Sequence, residues 1–426
     1  QQSKCPVPLN PALLQPFEAA NVQICPLQHQ VKDYSEQVLE CALLPVWASI
    51  NKACLSSCTF LNVLQRFFVN EAYWQHPDGP VFLYIGGEGP LVEYDVLTGH
   101  HSDMAEEHGA LLLALEHRFY GDSINPDGLK TENLADLSSQ QALVLTLYHQ
   151  NFNLTHRNTW ISFGGSYSGA LSAWFRGKFP NLVYGAVASS APVKAKLDFS
   201  EYNNVIQHKP CLADIFMGAV QYNEEGVLMS INELCGIMTN NSQEYQDGME
   251  AYNRLVKLSQ VWRTERAPSP PLHVDIGERQ WTYQTCTEFG FYQSCEDATC
   301  PFSGMLTLQD QTKLCTTLFG ISQHSLPARI AFTNTYYGGD NPHTHRILYV
   351  NGGIDPWKTL SVVQDGTEEG EEAQTIFIKD TAHCADMSSR RVTDRSSLTK
   401  ARQEIEKHVA NWLKTAAQEK LEKGTS

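Results

Sequence analysis

Three side chains of the 426-residue chain have the types needed for acyl transfer through a covalent intermediate: Ser166, Asp355 and His383. A serine hydroxyl attacks a carbonyl when a neighbouring imidazole takes its proton, and the imidazole needs a carboxylate to hold its tautomer. Ser166 sits in Gly164-Gly-Ser-Tyr-Ser-Gly169, between the apolar run Trp160–Phe163 and the helix-like stretch Ala170–Phe179. Strand, sharp turn and helix is the context that lifts a nucleophile out of its surroundings, and the strained turn demands small neighbours. The strict G-x-S-x-G spacing fails, because position 168 is serine. The backbone N–H of Tyr167, at the start of the helix, would face a developing oxyanion. A tight turn before a helix is the ordinary alternative for this segment alone.

The other two residues decide between these readings. Asp355 lies in Asn351-Gly-Gly-Ile-Asp-Pro-Trp357 and His383 in Asp380-Thr-Ala-His-Cys384, each after an apolar run. A cap before Pro356 would explain Asp355, and a loop histidine would explain His383. Three such residues in the order Ser, Asp, His, each after a strand, follow the α/β-hydrolase order and favour a catalytic triad. Trp357, beside Asp355, is a candidate for substrate contact. Gly86-Gly-Glu-Gly89 follows an early strand, where the second oxyanion donor is expected; Gly87 is the candidate. Glu88 would hold a substrate amine or cap a turn, and Glu288 is a second candidate carboxylate.

These residues need a scaffold of buried strands. Six short apolar runs fit parallel strands: Val81–Ile85, Ala110–Leu115, Trp160–Phe163, Tyr184–Ala188, Arg346–Val350 and Thr375–Ile378. Each is followed by a turn-rich segment, including Glu116-His-Arg-Phe-Tyr-Gly121 and Ser189-Ser-Ala-Pro192. Open α/β sheets place their sites at the carboxyl ends of strands. Between them, Val220–Ile237 and Gln243–Val261 read as helices, with a linker at Arg266–Leu272. The expected organisation is an atypical N-terminal segment over 1–59, an α/β-hydrolase core over 60–200 and 331–426, and an inserted helical cap over 201–330. Leu398–Leu421 reads as a surface helix closing the sheet.

Composition narrows the class. A net charge of −16 and a pI near 5.4 argue against nucleic acid as a partner. No apolar run is long enough to span a bilayer, and the first residues lack the pattern of a signal peptide, so a soluble protein with any leader removed is expected. Twelve cysteines without a paired CxxC framework exclude zinc ribbons. With sequons at Asn153 and Asn240 they favour an oxidising, secretory route. His343 and His345 form no H-E-x-x-H motif, and His100-His101 reads as a solvated loop; no metal or cofactor is expected.

Gly164-Gly-Ser-Tyr-Ser-Gly-Ala-Leu-Ser-Ala-Trp-Phe-Arg176, Ala188-Ser-Ser-Ala-Pro192, Glu116–Gly121 and Asp355-Pro-Trp357 resemble the serine peptidase family of lysosomal Pro-Xaa carboxypeptidase and dipeptidyl peptidase II. Leu197–Asn203, Gln280–Tyr292 and Thr335–Gly339 look closest to its thymus-specific branch. The resemblance covers about Phe60 to Leu413. It implies an α/β-hydrolase core with a helical cap and the same triad. It further implies exopeptidase action on peptides in the endosomal–lysosomal system, often beside proline, and a Cys286–Cys315 disulfide. In the thymic branch it implies a part in peptide processing for antigen presentation, and it leaves a homodimer open. The chain departs from the pattern at 17–59. It also skips a longer helical stretch between Asn204 and Leu212, is short after Leu143, and carries Cys384 where the Pro-Xaa carboxypeptidase branch has a second histidine. A lipase or carboxylesterase on the same fold, and a binding protein that has lost catalysis, are the competing readings.

Overall fold

The six apolar runs are strands, and all six are parallel to one another. The computed structural model describes residues 31–34, 65–124, 128–143, 154–204, 220–222, 230–239, 277–296, 300, 306–342, 344–363 and 374–424. In chain order the strands are β1 (Val31–Tyr34), β2 (Phe67–Asn70), β3 (Val81–Ile85), β4 (Leu111–Leu115), β5 (Trp160–Gly165), β6 (Gly185–Ser189), β7 (Lys196–Asp198), β8 (Gly290–Tyr292), β9 (Ile347–Gly352) and β10 (Gln374–Ile378). Eight form one sheet in the order β1-β2-β4-β3-β5-β6-β9-β10, with β7 and β8 paired separately. β1 and β2 run antiparallel to their neighbours and were not among the expected strands.

The sheet is buried on both faces, which is why the parallel strands read as unbroken apolar runs. On one face Leu83, Leu113 and Ala188 pack against α3 (Tyr167–Lys178) through Leu171 and Trp174. On the other, Phe82, Leu112 and Val350 pack against α1 (His100–His108) and the long α8 (Ser396–Gly424) through Ile405, Val409 and Trp412. The tail helix thus closes the sheet as expected. Gly185 lets it approach: a Cβ there would stand 2.5 Å from the Trp412 ring.

The described helices between are α2 (Ser139–Leu143), α4 (Ile231–Thr239), α5 (Glu278–Gln284), α6 (Leu308–Phe319) and α7 (Leu326–Tyr337). α4 covers part of the helix expected over 220–237; the one expected over 243–261 and the linker lie outside the described residues. Asn153, Asn240, His343 and six cysteines of the N-terminal and 205–219 segments also lie outside them. Cys286 and Cys315 are joined, tying the end of α5 to α6. A second disulfide, Cys295–Cys300, was not anticipated. One expectation is corrected: His100 and His101 are not in a solvated loop but in α1, 3% and 4% exposed. His100 Nε2 meets Glu406 at 2.9 Å, while His101 stacks on Tyr84 and its Nε2 meets the Asp95 carbonyl at 2.7 Å.

Candidate active site

The turn between β5 and α3 holds Ser166 at φ 58°, ψ −129°, a conformation that L residues other than glycine seldom adopt. Crowding explains the glycines around it. A Cβ on Gly164 would lie 2.2 Å from the Ser168 carbonyl, and one on Gly169 would lie 2.6 Å from that of Ser189. The Ser166 N–H donates to the Ser189 carbonyl at 2.9 Å, tying the turn to the end of β6. Ser168 closes the turn. Its hydroxyl donates to the Gly165 carbonyl at 2.8 Å and accepts the Gly165 N–H at 3.0 Å. Gly87 lies against Ser168, with a Cβ there only 3.5 Å from the Ser168 Cβ. The loop after β3 and the elbow after β5 therefore meet where the strand order reverses around β3, the usual place for a site in an open α/β sheet.

Asp355 and His383 come together as a buried pair. Asp355 is fully buried; its Oδ2 meets His383 Nδ1 at 2.8 Å while its Oδ1 accepts the Trp357 N–H at 2.9 Å. The carboxylate is thus both a helix cap and the partner of the imidazole. The carboxylate selects the tautomer with Nδ1 protonated, leaving Nε2 able to accept a proton. Nε2 is buried and has no hydrogen-bond partner among the described residues. Burial works to lower the basicity of His383, but the adjacent Cys384 sulfur and then the Asp355 carboxylate outweigh it and hold the ring well above the ordinary imidazole range. The Cys384 sulfur acts on the ring's charge without making a well-formed hydrogen bond to Nε2.

The histidine loop touches the elbow directly. Cys384 Sγ lies 2.9 Å from where a Cβ on Gly165 would stand, one residue before Ser166. Cys384 is held at φ 57°, and its N–H donates to the Ser190 hydroxyl at 2.9 Å. The remaining wall comes from 220–222. The Gln221 carbonyl accepts the His383 N–H at 2.9 Å, its side-chain oxygen accepts the Trp357 indole N–H at 3.2 Å, and the Tyr222 ring stands edge-on to His383 at 5.9 Å. Neither the Gly87 nor the Tyr167 N–H has a protein acceptor among the described residues, as donors reserved for an oxyanion require. Burial raises the Glu88 carboxyl above the ordinary carboxylate range, opposed in part by a hydrogen bond from its own backbone N–H and then by the charge of His383.

Glu288 is not in this group. Its carboxylate accepts the Ser139 N–H at 3.0 Å, the Ser139 hydroxyl at 2.7 Å and the Gln284 side-chain amide at 3.2 Å. It reaches the elbow only through Gln284, whose amide donates to the Tyr167 hydroxyl at 2.8 Å. The residues missed by sequence reasoning are those that hold others. Gln221 and Ser190 brace His383 and Cys384, while Glu116 takes the Leu91 N–H at 2.9 Å and so fixes the 86–91 loop. Only the position of Glu116 at a strand end signalled it. Among the described residues no group of histidine, cysteine and acidic side chains could hold a metal, and no helix is long and apolar enough to cross a membrane.

Comparison with known proteins places this chain in a family. The profile described as serine carboxypeptidase S28 matches residues 59–211 and 210–405. The chain belongs to the serine carboxypeptidase S28 family. This S28 chain is therefore a serine hydrolase with an α/β-hydrolase fold and the function of a serine peptidase. It is 36% identical to the human thymus-specific serine protease over 441 positions, covering 84% of each chain. It is 26% identical to the mouse lysosomal Pro-X carboxypeptidase over 429 positions, covering 82% of this chain and 85% of that one. The solved structure of a Mycobacterium smegmatis proline iminopeptidase aligns at 12% identity with a TM-score of 0.36, over 83% of this chain and 95% of that one.

Proposed function

We propose that Ser166, Asp355 and His383 form the catalytic triad of an exopeptidase. The observation that carries this is the buried Asp355–His383 pair, with Nε2 unpartnered among the described residues, on a loop packed against the strained Ser166 turn. Ser166 Oγ attacks the scissile carbonyl as His383 Nε2 takes its proton. The carbonyl electrons move onto the oxygen, which the Tyr167 and Gly87 N–H groups receive. Collapse breaks the C–N bond, and His383 returns the proton to the leaving amine. A water activated by the same imidazole then hydrolyses the acyl-enzyme. Asp355 keeps the ring oriented through both halves and stabilises its charge.

Glu88 gives the substrate its direction in this reading. It is a carboxylate close enough to interact with His383 and Tyr222, and it forms no ion pair with a cation among the described residues. A free N-terminal amine is its natural complement, which favours removal of short fragments from the N-terminus. Trp357 joins Phe199, Tyr202 and Phe291 in an aromatic wall beside His383 and supports a contact with an apolar side chain. Peptides are thus the substrates, and the name of the lysosomal relative supports a place in the secretory and endosomal–lysosomal route. The cap over 201–330 is read as shortened. An alignment of 441 positions exceeds the chain's 426 residues although only 84% of the chain enters it, so the human relative carries residues with no counterpart here. The family match also breaks at 210–211.

Fluorophosphonate labelling tests the nucleophile. The wild-type protein should label and Ser166→Ala should not, with peptide turnover falling on the order of 10⁴-fold or more. Equal labelling of both would sink the assignment. Digestion of a peptide library, read by mass spectrometry, tests the direction: blocking the N-terminus by acetylation should abolish cleavage, and loss of single C-terminal residues would refute the role of Glu88.

A further inference from the structure

A cavity of about 250 Å³ opens between the last turns of α3 and the loop after α7. It lies at the far end of α3 from Ser166, about 18 Å along a twelve-residue helix. Its walls include Trp174, Lys178, Tyr336, Tyr337 and Thr344. The Trp174 and Tyr337 rings stack with centroids 4.0 Å apart and planes within 9°. The polar atoms of this cavity lack partners in one specific way. Trp174 is 4% exposed, and among the described residues its Nε1 has no hydrogen-bond partner; the buried Thr344 Oγ1 has none among them either. The Lys178 ammonium lies 4.0 Å over the Tyr336 ring and 5.9 Å from that of Tyr337 and forms no ion pair among the described residues.

An indole N–H and an ammonium can only donate, and a hydroxyl can donate as well. The Trp174 N–H and the Lys178 ammonium therefore call for an acceptor, and the Thr344 hydroxyl can donate to the same one. Leaving a buried donor unpaired forfeits its hydration with no return, so an orphan of this kind calls for a ligand or a reason. The surrounding charge points the same way. Arg176 directs its guanidinium at the carbonyls of His345, Pro180 and Val183 and meets no carboxylate, so it offsets the negative end of α3. Asp340, the acidic residue of the 338–344 loop, is engaged by Lys194 at 2.8 Å. In a chain of net charge −16, Lys178 borders this aromatic-walled cavity with no carboxylate matched to it among the described residues.

We propose that this cavity binds a small carboxylate or similar oxyanion, held by the Trp174 N–H, the Thr344 hydroxyl and the Lys178 ammonium, apart from the hydrolytic centre. A volume of this size takes a small organic acid and excludes a folded partner.

Thermal unfolding of the purified full chain, titrated with benzoate at constant ionic strength, tests this, because a ligand of the folded state raises Tm saturably. Benzamide is the neutral control and sulfate the inorganic arm. Benzoate should raise Tm saturably and benzamide should not. Lys178→Met should weaken benzoate on the order of 10-fold or more while leaving peptide hydrolysis unchanged. Trp174→Phe removes the orphaned N–H together with part of the buried ring, so its shift is read against its own ligand-free Tm; it should weaken benzoate. Ser166→Ala should respond as the wild type does, separating this site from the cleft. A saturable response to sulfate that is lost in Lys178→Met supports the inorganic branch. The proposal fails if wild type and Lys178→Met respond alike, if benzamide matches benzoate, if Ser166→Ala loses the response, or if neither anion gives a saturable shift.

Discussion

Ser168 occupies the place where a strict elbow has glycine, and its hydroxyl bonds both the N–H and the carbonyl of Gly165. The departure from the expected pattern is thus a local clamp on the residue before the nucleophile. Gly165 is pressed from the other side by Cys384, whose sulfur would sit 2.9 Å from an added Cβ, with the Cys384 Cβ itself at an ordinary 3.4 Å. Gly165→Ala should therefore lower kcat by displacing the histidine loop, and Cys384→Ala, by removing the sulfur, should restore part of it. A coupling of about 0.5–3 kcal/mol between the two changes is expected from a double-mutant cycle on kcat/KM, and strict additivity would refute the contact. His383 makes a second prediction. Its raised basicity means that the neutral imidazole needed to accept a proton is lost, as pH falls, at a higher pH than it would be without the Cys384 and Asp355 interactions. The acid limb of kcat/KM should therefore move down in Cys384→Ala. Stability follows the opposite course: the raised value stabilises the fold below the unfolded-state pKa, and this contribution is lost as pH rises through the folded one. A profile flat through the imidazole range, in wild type and variant alike, would contradict the charge environment described for His383.

At the scale of elements, the site depends on how segments brace one another. Tyr167 opens α3, and its buried hydroxyl is held from two directions. His117 Nδ1 donates to the Arg118 carbonyl at 2.7 Å, and burial lowers this ring's pKa to about 4, so its neutral Nε2 accepts the Tyr167 hydroxyl at 3.0 Å. From α5, Gln284 donates to the same hydroxyl, accepts from Tyr120 at 2.7 Å and contacts Glu288. Gln284→Leu should destabilise the protein by about 1–3 kcal/mol, because Tyr120 and Glu288 lose a buried partner. If the network also aims the Tyr167 N–H, kcat should fall while KM stays near its wild-type value. A stability loss with unchanged kcat would reduce the network to packing. The strands, the elbow and the order of Ser166, Asp355 and His383 were legible because burial on both sheet faces and the strained turn leave local marks. Gln221 and Gln284 left no such mark, and Glu116 only its place at a strand end. Each acts across dozens of residues of chain, and a lone Gln or Glu looks like any polar side chain. The His100-His101 pair misled for the complementary reason: polar residues read as exposed until Glu406 and Tyr84, far along the chain, are seen to bury them.

For the molecule as a whole, the sheet and its two packed faces set where the triad stands, while the segments around the cleft set what reaches it. The 220–222 segment supplies Gln221 and Tyr222 to the wall of His383, so material from the 201–330 region reaches the nucleophile's surroundings. The human relative carries residues with no counterpart here, and the family match is split at 210–211; near 204–212 is the place we propose for the missing segment. A roof reduced at that point should admit longer chains, because an exopeptidase excludes them by closing off the cleft beyond its end subsites. Measured as kcat/KM on peptides of one N-terminal sequence and increasing length, this protein should hold its rate as length grows, where the human relative should decline. The comparison is made within each enzyme, so differences in overall turnover cancel. Restoring the relative's segment between Asn204 and Leu212 should bring the length dependence back without altering fluorophosphonate labelling of Ser166, since labelling reads the triad alone. If both enzymes show the same length dependence, or if the inserted segment changes labelling as much as length preference, the missing residues do not roof the cleft.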